Sequence, residues 1–119
     1  MNYKHFTKGE LICSCCGKVR VDEAFMEKIC LIREELGEPM FVSSFYRCKE
    51  YNKKIGGAPK SAHLDGKAMD ISKLSDSYAR KVAELAIKYD LWGIEVGTYH
   101  MHLDDKERSA PVLWAGVSK

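Results

Sequence analysis

One carboxylate constrains this chain more than any other residue. Asp70 lies within Lys67-Ala68-Met69-Asp70-Ile71-Ser72, where Ala68, Asp70 and Ser72 share one face of an expected strand and Met69 and Ile71 the other. An ionised carboxylate among such apolar neighbours is costly to bury alone. The fold must therefore bring Asp70 a metal ion, a cation or dense hydrogen bonding.

The patterns around this strand describe a mixed chain. From Asp22 to Leu36, apolar residues recur at Phe25, Ile29, Ile32 and Leu36, one face of an amphipathic helix. Asp22 can cap its start, Gly37 suits the position after its end, and Pro39 prevents continuation. The same spacing predicts a helix over Ser75–Tyr89 through Tyr78, Val82, Leu85 and Tyr89. A short helix is expected over Cys48–Ile55, stopped by Gly56-Gly57, after a lead-in turn at Phe6–Leu11. Met40–Ser44, Trp92–Val96 and Tyr99–Asp104 read as short strands, with Gly97-Thr98 as a hairpin turn. Without a regular βαβ alternation these elements imply an α+β fold, a small and largely antiparallel sheet flanked by helices.

Length and composition limit the function classes. The 119 residues are expected to form a single domain, 1–119, that buries about two-thirds of its unfolded surface without a metal merely to hold it together. A net charge of +2 without a basic stripe argues against a nucleic-acid partner, and no stretch approaches a membrane span. Met1–Glu10 is polar and lacks the apolar core of a secretory signal, so cytoplasmic synthesis and a monomer are expected.

Five cysteines, at 13, 15, 16, 30 and 48, cannot all pair. Cys30 is read as a packed helix residue. Cys13-Ser14-Cys15-Cys16-Gly17 resembles part of a metal knuckle, but no second Cys/His pair follows at zinc-finger spacing. A structural zinc would have to borrow Cys48 and is not expected; disulfides among these residues are an open alternative. A zinc-knuckle nucleic-acid protein is accordingly disfavoured.

The histidines point elsewhere. His5 stands isolated and is expected to be solvated, whereas His63, His100 and His102 fall in two short segments, Ser61–Asp70 and His100–Asp104. On a strand His100, His102 and Asp104 share a face, a poor core but a good wall for a metal site. His63, Asp70 and one histidine of the second segment supply three protein ligands, the number used by catalytic zinc sites that leave a position for water.

Ser61-x-His63-x-x-Gly66-x-Ala68-x-Asp70 followed by His102-x-Asp104 resembles the zinc D-Ala-D-Ala carboxypeptidase family. That group is related in fold to vancomycin-resistance dipeptidases, murein endopeptidases and the hedgehog signalling domain. The early cysteine-glycine element, Ser44-Phe45-Tyr46-Arg47-Cys48-x-x-Tyr51-Asn52 and Gly56-Gly57-Ala58-Pro59-x-Ser61 extend the likeness to short phage and bacterial members.

The resemblance implies a hedgehog/DD-peptidase-like fold and Zn2+ on His63, Asp70 and His102. It implies Arg47 as the group that holds a substrate carboxylate or oxyanion, and Ser61 as a substrate donor or support for a ligand. Many relatives carry a carboxylate where this chain has Tyr99, so the general base is sought among Glu95, His100 and Asp104. Glu95 is preferred, with His100 stabilising the transition state and Asp104 orienting a ligand. Phe45 replaces a usual glycine and is expected to alter the pocket beside Arg47.

The implied activity is hydrolysis of a peptide bond in peptidoglycan, by a D,D-carboxypeptidase or an endolysin-type endopeptidase. Such a protein would reach the wall if phage-encoded or released by lysis. The alternative is a metal-containing wall-binding module without catalysis.

Overall fold

The structure, a computed structural model, describes residues 5–108 together with the backbone of 112–115. The expected domain 1–119 extends beyond these residues at both ends, and part of the polar Met1–Glu10 start also lies outside them.

Among the described residues the sheet contains five strands in the order β1-β2-β4-β3-β5: β1 Val42–Ser44, β2 Ala68–Ser72, β3 Gly93–Val96, β4 His100–Asp104 and β5 Val112–Ala115. All neighbours are antiparallel except β3 and β5, which pair in parallel. The α+β reading with a largely antiparallel sheet is what the chain adopts. β5, an edge strand after Pro111, is an addition to it.

Among the described residues four α-helices accompany the sheet, α1 Lys8–Leu11, α2 Glu23–Leu36, α3 Lys49–Lys54 and α4 Asp76–Lys88. α2 begins where Asp22 accepts a hydrogen bond from the Phe25 amide at 3.0 Å and ends at Gly37 in the left-handed region, φ 68°. Such a cap contributes about 1 kcal/mol. Ser75 caps α4 in the same way through the Tyr78 amide, 3.0 Å away. The lead-in turn is in fact α1, closed by a reciprocal capping box between Thr7 and Glu10.

α2 and α4 pack on one face of the sheet. Phe25, Met26, Ile29 and Ile32 meet Tyr78, Val82 and Ala86, above Met69, Ile71, Ile94, Met101 and Leu103. Each fully buried large side chain contributes roughly 1.5–3 kcal/mol, so this layer is the main source of stability. Strand alternation then sends Asp70, Glu95, His100 and His102 to the opposite face. His5 corrects its solvated reading: its side chain is half-buried and lies 3.4 Å from Glu34.

Candidate metal centre

His63 is positioned by the turn that precedes β2. Ser61 caps a single 3-10 turn, Ala62–Asp65, its Oγ accepting from the His63 amide at 3.2 Å. The turn ends at Gly66, φ 67°, where an added Cβ would lie 2.0 Å from the Arg20 carbonyl oxygen. Only glycine allows this close, left-handed exit.

The His63 ring is 2% exposed. Its Nδ1–H donates to the Phe45 carbonyl at 2.5 Å, which leaves Nε2 as a lone-pair acceptor. Nε2 is buried, makes no hydrogen bond among the described residues, and sits 3.2 Å from Asp70 Oδ2. A buried ring nitrogen facing a carboxylate calls for a shared proton or a cation between them. A metal ion satisfies both groups.

The third member comes from the next strand. In the β2–β4 ladder Asp70 pairs with His102, and His102 Nδ1 lies 2.7 Å from Asp70 Oδ1. Its Nε2 lies 2.8 Å from Asp104 Oδ2. An imidazole bonded to carboxylates at both nitrogens donates from both and is therefore imidazolium in the metal-free protein. Burial alone lowers the His102 pKa, but Asp104 and Asp70 together push it up to about 9. Burial likewise raises Asp70, yet His102 and His63 hold its carboxyl well below the usual range.

Asp104 is the brace of this arrangement. It is 1% exposed, and besides His102 it accepts from the Lys106 amide and from both Arg108 Nη atoms, at 2.9 and 3.1 Å. Burial raises its pKa, while His102 and Arg108 bring it well below the ordinary carboxylate value. With Nε2–H tied to Asp104, His102 can offer a metal only Nδ1. His63 Nε2, an Asp70 oxygen and His102 Nδ1 thus form the donor set, and the ligand atoms of these residues lie within 4.8 Å of one another.

The centre opens into a cavity of about 770 Å³ whose lining includes Arg47, Ser61, Glu95, His100 and Asp104. Glu95 faces His102 in the β3–β4 register, the relation that strand parity could not fix across the Gly97-Thr98 turn. His100 is exposed at the rim, and Tyr99 is 68% exposed and does not line the cavity. Arg47 donates from Nη2 to Asp70 Oδ2 at 3.1 Å and from Nε to Ser44 Oγ at 3.1 Å.

The Peptidase M15 family matches residues 4–104, most of the chain and all of this centre. The chain belongs to the Peptidase M15 family. No curated protein matches it. M15 enzymes are zinc metallopeptidases, and His63, Asp70 and His102 provide N and O donors appropriate to zinc.

Against this M15 centre, Phe45 acquires a role and two residues are added. Phe45 reaches the centre through its backbone. The ring is 1% exposed and stacks on Phe25 with centroids 6.2 Å apart, while its carbonyl holds His63. Arg108 was not anticipated, because an arginine in a loop beyond a strand carries no pattern that ties it to Asp104. Gly93 was also missed. A Cβ there would meet Asp104 Oδ2 at 2.4 Å, so the bare glycine leaves room for the brace.

Proposed function

We propose that this M15 peptidase hydrolyses a peptide bond in the peptide part of bacterial peptidoglycan, as a D,D-carboxypeptidase or an endolysin-type endopeptidase, using zinc on His63, Asp70 and His102. The observation that carries the hydrolytic reading is the row Asp70, His102, Glu95 across β2, β4 and β3, which sets a carboxylate beside the metal ligands on the cavity face. When bound, zinc supplies a Lewis acid that polarises the scissile carbonyl and acidifies water.

Glu95 accepts a proton from the attacking water and passes it to the leaving amine. Arg47, steadied by Asp70 and Ser44, offers its planar charged fork to a substrate carboxylate or to the oxyanion. His100, at the exposed rim, donates to the developing negative charge. Ser61 lines the same cavity while its Oγ caps the turn under His63, so its contribution is mainly to place that ligand. Exposed Lys60 and Lys106 add positive charge to the lining, which suits the carboxylates of wall stem peptides.

The exposed Tyr99, where many members of the resembled family carry a carboxylate, favours a second reading, a wall-binding module that keeps the metal and lacks turnover. Zinc-loaded protein incubated with purified muropeptides separates the two. Release of D-Ala or shorter peptides supports the enzyme, and tight wall binding without turnover at full zinc load supports the module.

A further inference from the structure

On the chain's N-terminal side, thiols from two separated segments converge. Cys13 and Cys16 stand in a knuckle closed by hydrogen bonds from Gly17 N to the Cys13 carbonyl and from Cys13 N to the Lys18 carbonyl, both 2.8 Å. Gly17, φ 70°, makes the reversal. Cys48, which caps α3, arrives from the segment after β1. The sulfurs of Cys13, Cys16 and Cys48 lie within 4.8 Å of one another, and the exposed Cys15 precedes Cys16 in the same knuckle.

We propose that Cys13, Cys16 and Cys48, with Cys15 as fourth donor, form a second metal site that binds zinc through sulfur. Zinc–sulfur bonds of about 2.3 Å give a tetrahedral edge of about 3.8 Å, a separation this cluster reaches with small adjustments. A disulfide would join two of these sulfurs and leave the others crowded against it, and all five cysteines are free. The backbone also favours anionic sulfur. The Cys48 amide donates to Cys13 Sγ at 3.3 Å, and the Tyr51 amide donates to Cys48 Sγ at 3.4 Å.

The site would work as a clamp next to the catalytic cavity. Cys48 follows Arg47, whose amide donates to the His63 carbonyl at 3.2 Å. Tyr46 N in turn donates to the Leu11 carbonyl at 3.3 Å, so the clamp draws together the α1 knuckle and the strip that carries Arg47 and Phe45.

Metal counting and cobalt spectroscopy on the full chain, kept reduced, test this. The expected result is two zinc ions per chain and, after replacement by cobalt(II), a sulfur-to-cobalt charge-transfer band. His63→Ala should lose one metal and keep the band. Cys16→Ser, at an exposed position, should lose the band and keep the other metal. A reduced wild-type protein that binds one metal and shows no such band overturns the proposal, as does a band that survives Cys16→Ser and Cys48→Ser alike. Because the His63→Ala arm reads the thiolate site alone, failure here is distinguishable from failure at the His63–Asp70–His102 centre.

Discussion

Glu95 stands opposite His102 across the β3–β4 ladder, on the sheet face that also carries Asp70. Facing side chains in such a pair have Cβ atoms about 4.5–5.5 Å apart, close enough for one water to bridge the carboxylate and the metal site. Removing a general base costs roughly 10²–10⁴ in rate. Glu95→Gln should therefore lower kcat on muropeptides by about that factor while zinc content stays at the wild-type level. Unchanged kcat in a fully loaded variant would move the base to another residue.

Asp104 should act on the metal through His102. Partners of ligating histidines are commonly worth about 10–100-fold in metal affinity. Asp104→Asn should weaken zinc binding by about that much in a chelator competition, and His102→Ala should abolish it at this centre. Equal zinc affinity in Asp104→Asn and wild type would contradict the assignment of Nδ1 as the donor.

The charges of the metal-free centre make zinc uptake pH-dependent. His102 is pushed up to about 9, above its ordinary value of 6.5, so the fold binds its proton more tightly than the unfolded chain does. That stabilisation is complete below about pH 6.5 and disappears as pH rises through about 9. Asp70 and Asp104 have lowered values, so their contribution is present above about pH 4 and is lost on further acidification. Zinc must displace the Nδ1 proton of His102. Loading of the His63–Asp70–His102 centre near pH 7 to 8, followed in Cys16→Ser so that the thiol cluster does not contribute, should release about one proton, and apparent affinity there should rise up to about tenfold per pH unit until about pH 9. Zinc uptake without proton release in weakly buffered solution would refute this.

Gly93 tests the space around the brace. In Gly93→Ala the new methyl must displace a carboxylate that His102, Lys106 and Arg108 hold in place. Overpacking of this kind costs about 1–3 kcal/mol. The variant should have a lower Tm and weaker zinc binding, whereas a neutral effect on both would mean that Asp104 is not tightly held.

Much of this was legible because local rules and tertiary packing agree. Asp22, Gly37 and the spacing of Phe25, Ile29 and Ile32 define α2 without reference to the rest of the chain. Asp70 announced a need for partners, and the alternation of His100, Met101, His102, Leu103 and Asp104 separated the site face from the core face. Other features depend on contacts between distant segments. Gly93 and Arg108 matter only because the sheet brings them to Asp104, and Cys48 meets Cys13 only through the docking of α1 beside β1. The capping box of Thr7 and Glu10 and the apolar run of β5 were readable but brief, and short elements carry weak periodicity.

The most direct test is turnover of purified muropeptides by zinc-loaded protein, compared with His63→Ala at equal zinc supply. Release of D-Ala or shorter peptides by the wild-type protein, absent in the variant and in chelated wild type, is the expected result. Undiminished turnover by His63→Ala, or no turnover by fully loaded wild type, would contradict a zinc peptidase built on His63, Asp70 and His102.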